Sequence, residues 1–135
     1  MASVAQLRAG LATALGNLPG VRVYQSLPDE TNVPAALVSF EKVSYDKASG
    51  RAVAMYQFKV TIAVGRTVER LAQSNLDKYV DQSAATSVKV VLEADPTLGG
   101  VAYDCYVPEL TAYGGITLNG IDYLGAEFSV TIYAS

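Results

Sequence analysis

The sequence predicts one α+β domain, with helices packed on one face of a mainly antiparallel or mixed β-sheet. Three observations carry that prediction. Apolar residues recur at helical spacing near 4–16 and 67–81. Between 54 and 64, and again in the last third of the chain, they alternate with period two, as a strand does when one face meets a core. Asn119-Gly120 lies between two short β-forming runs, and that dipeptide tolerates positive φ at both central positions of a tight hairpin turn. At 135 residues the chain has the size of a single domain, and no linker or low-complexity tract divides it.

The first helix is predicted over 4–16, with Val4, Leu7, Leu11, Ala14 and Leu15 as its apolar stripe. Ser3 is placed to cap it, and Asn17 with Pro19-Gly20 stops it. Val21 to Tyr24 is short and β-like. Pro28, Asp29, Asn32 and Pro34 make 25–34 a loop, and a strand follows from Ala35 to about Val43. After a turn over 46–50 comes the clearest strand. There Ala54, Tyr56, Phe58, Val60, Ile62 and Val64 alternate with Met55, Gln57, Lys59, Thr61 and Ala63.

Thr67 is placed to cap a second helix reaching about Asp81, on a stripe of Val68, Leu71, Ala72, Leu76, Tyr79 and Val80. Glu69 in its first turn suits the positive end of the helix dipole. A third helix is predicted from Val88 to about Ala94, capped by Ser87 and ended by Pro96 and Gly99-Gly100. Val101, Tyr103, Cys105 and Val107 then alternate up to Pro108, which implies an edge or a bend. Both Gly-Gly pairs, at 99–100 and 114–115, read as turns. The last strand sets Leu124, Ala126, Phe128, Val130 and Ile132 against Glu127, Ser129, Thr131 and Tyr133, completing the order α-β-β-β-α-α-β-β with a further β optional.

Composition narrows the function. Half the residues are apolar and only 17% are charged, against about 25% in ordinary domains. Nine Tyr and no Trp accompany that shortage of charge, and Tyr suits surfaces that are dry at one end and wet at the other. The combination favours a domain whose surface is partly covered in an assembly. A formal net charge of −3 argues against a dedicated nucleic-acid binder, which needs a basic patch to displace counterions, and against docking on an anionic membrane. The opening residues interrupt their apolar run too soon for a secretory leader, so a protein not exported by that route is expected.

The sequence offers little chemistry. With no histidine there is no imidazole base for a Ser-His or Cys-His pair and no His-based zinc site. Cys105 is alone, so it has no partner within the chain for a disulfide, and it is expected to be a small buried residue in a strand. No phosphate-cradling Gly-x-x-x-x-Gly-Lys-Ser/Thr run exists. The nearest acidic pairs are Asp29-Glu30 and Glu93/Asp95; the second lies at a helix end, where negative charge is mildly unfavourable. Asp122 reads as turn chemistry. No catalytic, cofactor-binding or metal-binding residue is expected.

Several stretches together resemble a known family. Leu7-Arg8-Ala9-Gly10-Leu11 runs into Leu18-Pro19-Gly20-Val21-Arg22-Val23-Tyr24; Val64-Gly65-Arg66 enters a helix with Ala72-Gln73 and Leu76-Asp77. Ser87-Val88-Lys89 leads to Leu92-Glu93-Ala94-Asp95-Pro96-Thr97-Leu98-Gly99-Gly100, and the end reads Gly120-Ile121-Asp122-Tyr123-Leu124-Gly125-Ala126-Glu127-Phe128. In this order and spacing, over nearly the whole chain, they resemble tail terminator proteins of long-tailed bacteriophages, especially those infecting actinobacteria. The resemblance implies a structural virion protein, made in the host cytoplasm and located at the tail or neck. It implies a homo-oligomeric ring, usually of six copies, that caps the head-proximal end of the tail tube. Such a ring stops tube polymerisation and meets the major tail tube protein on one side and the head-to-tail connector on the other. DNA would pass through the lumen without specific binding, so a lining free of dense cationic stripes is expected. No catalytic residues come with the family.

The loops at 25–34 and 44–53 are the expected docking elements, with Pro28, Asp29, Pro34, Tyr45, Arg51 and Met55 as candidate interface residues, since long loops carry function and these side chains are poorly explained as core. Three alternatives stay open at this level: another head-to-tail connector, neck or minor tail protein; a small non-phage enzyme, such as a carboxylate-only hydrolase; and a host-directed regulatory binder.

Overall fold

A computed structural model gives the fold and describes residues 3–18, 21–25, 34–45, 53–66, 72–81, 87–118 and 120–134. Three helices and five strands follow one another: α1 (Val4–Leu15), β1 (Arg22–Tyr24), β2 (Ala35–Ser44), β3 (Ala54–Arg66), α2 (Ala72–Val80), α3 (Val88–Glu93), β4 (Asp104–Leu118) and β5 (Ile121–Ala134). The fold is the α+β class that the sequence predicts, without the optional last strand. One mixed sheet runs in the order β1-β2-β3-β5-β4; only the β1–β2 pair is parallel.

Ser3 starts α1 as expected. Its hydroxyl accepts from the Gln6 N–H at 3.1 Å while its own N–H donates to Gln6 Oε1 at 2.9 Å, a reciprocal capping box. Leu7, Leu11 and Leu15 bury completely. They face one side of the sheet, where Ala36 and Val38 of β2, Phe58, Val60 and Ile62 of β3, and Phe128, Val130 and Ile132 of β5 form a continuous core. Helix α1 lies against β2, α2 against β3 and β5, and α3 against β4. Leu76 of α2 and Val88 and Leu92 of α3 close that core.

Two readings need correction. The last third is not two short strands parted by a glycine turn: β4 is a single strand of 15 residues that carries Pro108, Gly114 and Gly115 inside it. Of the edge or bend that Pro108 implies, the edge holds: β4 is the sheet's edge, and its pairing with β5 slips between Tyr106 and Glu109. Gly114 and Gly115 pair with Gly125 and Leu124 rather than turning the chain, while Gly99 and Gly100 do lie in turns, as expected. Ser87 holds the N-cap position of α3, but its hydroxyl makes no capping bond and is fully buried without a hydrogen-bond partner.

The Asn-Gly hairpin holds where it is described. Gly120 has φ +78° between β4 and β5; Asn119 lies outside the described residues. The expected cap at Thr67, and Val68, Glu69 and Leu71 of the second helix, also lie outside them.

The face of the sheet away from the helices is less polar and less open than its alternation suggests. Leu37, Thr61, Ala63, Tyr123 and Thr131 are all buried there. A cleft of about 410 Å³ on this face is lined by Leu37 and Ser39 of β2, Lys59 and Thr61 of β3, and residues 115–118 of β4. Strands β2 and β4 are three places apart, roughly 14 Å at ordinary strand spacing. The sheet therefore curls, and its β4 end leans over the outer face.

Candidate docking edge

A sheet edge presents unpaired backbone N–H and C=O groups, and proteins blunt such edges by shortness, charge, proline, bulges or cover. Most of the edge here is blunted in this way. Strand β1 has only three residues. Beyond it, the free part of β2 carries a register shift between Phe40 and Lys42 and the charged pair Glu41-Lys42.

The first half of β4 is capped by side chains. Glu93 Oε2 accepts from the Val107 N–H at 3.0 Å, and Lys89 Nζ donates to the Val107 carbonyl at 3.2 Å and to Glu93 Oε2 at 2.6 Å. Two residues one helical turn apart on α3 thus bind both backbone groups of an edge residue, as a neighbouring strand would. The Cys105 N–H donates to Asp104 Oδ1 at 3.0 Å, and Pro108 has no N–H to expose.

A last register shift lies between Leu110 and Ala112, and past it the blunting stops. Residues 110–118 (Leu-Thr-Ala-Tyr-Gly-Gly-Ile-Thr-Leu) contain no charge and no proline. Residues 111, 112, 113, 115 and 117 are exposed, as are the large side chains of Leu110 and, on β5, Ile121. Among the described residues no strand covers this stretch. The Tyr113 hydroxyl donates to Asp77 Oδ1 at 2.6 Å, tying the edge to α2, and Thr111 Oγ1 donates to the Glu127 carbonyl at 3.1 Å. The result is a held, uncharged pairing edge.

Of the docking candidates named from the sequence, the described ones, Pro34, Tyr45 and Met55, do not lie at this edge. The Pro34 carbonyl accepts from the Arg22 N–H at 3.0 Å, so this residue helps join β1 to the start of β2. Met55 is half-buried inside β3, between Ser44 and Tyr133. Tyr45 follows β2 and is 72% exposed, the most exposed large apolar side chain among the described residues. Pro28, Asp29 and Arg51 lie outside the described residues. Sequence reasoning missed the β4 edge because Gly114-Gly115 reads as a turn. The signal that could have found it is the run without charge from Leu110 to Ile121.

The acidic pair at the end of α3 has a structural explanation. Burial alone would raise the Glu93 pKa, but the hydrogen bonds from Lys89 and from the Val107 N–H outweigh it and hold the carboxyl below its usual 4.5. Asp95 accepts from the Thr97 hydroxyl at 2.7 Å and from the Gly99 N–H at 3.0 Å, which hold it below its usual 3.8. Because both folded-state values are depressed, these contributions to stability are complete above the unfolded values and disappear as pH falls through the folded ones. Thermal unfolding followed by circular dichroism should show the melting temperature dropping below about pH 4.5. The drop should be shallower in a Glu93→Gln, Asp95→Asn double variant; parallel profiles would contradict the assignment. Among the described residues no group of three His, Cys, Asp or Glu could hold a metal ion.

Cys105 faces the core at 1% exposure. Burial first, then the negative charges of Asp104, Glu93 and Asp95, push its thiol up to about 12. The thiolate is the reactive form. An aromatic disulfide reagent at neutral pH should therefore leave the folded protein unmodified and label it fully in urea. Rapid labelling of the folded chain would show that this part of β4 opens.

A second concavity, about 550 Å³, lies between α1 and the chain following α3, walled by Ala9, Gly10, Thr13, Val91, Leu98 and Gly99. It is shallow and mostly apolar, and holds one acid, Asp95, whose carboxylate is already engaged by Thr97 and Gly99. Among the described residues no helix is long and apolar enough to cross a membrane. No protein-family model matches the chain, and no curated protein matches it.

Proposed function

We propose that this chain is a structural virion subunit of the tail terminator type, working by contact and breaking no bonds. Copies close into a ring, six on the pattern of the family it resembles, at the head-proximal end of a phage tail tube. The ring stops tube growth and joins the tail to the head connector, while DNA passes through the lumen. The observation that supports this reading most is the uncharged, unbulged stretch of β4 edge at 112–118, which no strand covers among the described residues, in a sheet whose other edges are blunted. An edge of that kind is a template for pairing with another chain. The 17% charge and the net charge of −3 agree with a surface largely covered in an assembly and a lumen that does not grip phosphate.

The test is electron microscopy of intact virions together with tail lengths in a null mutant. Density of this fold as a ring at the neck, and overlong tubes when the protein is lost, are expected. Tails of normal length left unattached to heads would move the protein to the head side of the joint. A chain absent from particles would overturn the reading.

A further inference from the structure

We propose that the free β4 edge also pairs with the same edge of a second copy, antiparallel and about a two-fold axis through Gly114. From Ala112 to Leu118 the strand runs beside β5 without a register shift. In that stretch the sequence is nearly its own complement when reversed. With Gly114 opposite Gly114, Tyr113 of each copy faces Gly115 of the other, and Ala112 faces Ile116. Tyr113, held by Asp77 of its own subunit, leaves the partner's Gly115 unobstructed, and a small residue across from a large one interdigitates. A two-fold contact requires this self-complementarity, because one patch must meet itself.

The φ of +140° at Gly114 accounts for a glycine there, and with no side chain at the axis two backbones can approach. The occupant is a second copy because a self-complementary edge offers its best match to itself. The alternative edge for head-to-tail pairing, the free part of β2, is bulged and carries Glu41 and Lys42.

This pairing differs from the ring contact, and the two cannot occupy the edge together. Neighbours in a closed ring meet through two different surfaces, whereas a two-fold pair joins identical ones. It is a state of the free protein that covers the pairing edge before assembly. The contact spans only about five residues, roughly 17 Å of strand. It falls short of the standard interface size, so the dimer forms with rising concentration.

Sedimentation equilibrium of the full-length chain over a range of concentrations tests it. The mass should rise from 14.2 kDa toward twice that value, and amide exchange at 112–116 should slow in parallel. Ala112→Lys, at an exposed edge position, should abolish both effects with an unchanged melting temperature. Thr13→Lys, on the exposed side of α1, should leave both intact. Mixing an Ala112→Cys protein with an Ile116→Cys protein under oxidation should give a crossed disulfide that neither gives alone, since the buried Cys105 does not compete. A monomer at every concentration overturns the proposal, as does a dimer indifferent to Ala112→Lys. A larger closed oligomer that Ala112→Lys dissolves would also overturn the two-fold register, while supporting the ring.

Discussion

Replacing Gly125 by alanine is expected to cost the protein its native stability, although the change adds one methyl group. Gly125 lies in β5 between Ala63 of β3 and Gly114 of β4, on the outer face where the sheet curls. A Cβ built there collides with the backbone carbonyl of Ile62 and comes within 2.5 Å of Ile116 Cδ1. A flexible side chain could swing away, but a carbonyl held in the central strand moves only if β3 and β5 shift together. Overpacking usually costs about 1–3 kcal/mol and occasionally more; a backbone conflict in the middle of a sheet belongs at the top of that range. For a domain of this size that is roughly 10 °C in melting temperature, and soluble yield should fall with it. Adding Ile116→Ala should recover only part of the loss, because the Ile62 carbonyl remains. A melting temperature within about 2 °C of the parent would show that the curl at Gly125 is not as tight as described.

Phe58→Ala is the second large effect. Phe58 is the largest fully buried side chain, 1% exposed, at the centre of β3 between Phe40 and Val130. Its ring meets that of Phe40 at 5.3 Å and 59°, a tilted contact that suits the charge distribution of aromatic faces and edges. Truncation removes the transfer energy of the ring and leaves a cavity that a strand held between β2 and β5 cannot close; the expected cost is about 3–5 kcal/mol. Urea unfolding should show a lower midpoint with an unchanged slope, since the surface exposed on unfolding is nearly the same. Phe58→Leu should lose markedly less. A cost below about 1 kcal/mol would mean that the site collapses around the missing ring.

Much of the architecture is legible in the residues themselves. Leu7, Leu11 and Leu15 recur at steps of four, and Ser3 with Gln6 spells its own cap, so α1 is local information. Residues 54–64 alternate because a central strand must present one face to the helices, and Phe58, Val60 and Ile62 are that face. Asn119-Gly120 marks the hairpin because few other pairs accept its backbone angles.

The class of fold, the order of its elements and the faces that turn inward are local information, because they follow from interactions between residues close along the chain. Other features arise only once the sheet is assembled: Gly114 and Gly115 continue a strand, Glu93 and Lys89 cap the backbone of Val107, and no strand among the described residues covers 112–118 while the rest of the edge is blunted. Each of these depends on which strand lies beside which. Pairing across a sheet joins residues far apart in sequence, and a glycine permits both a turn and a strand until its neighbours choose.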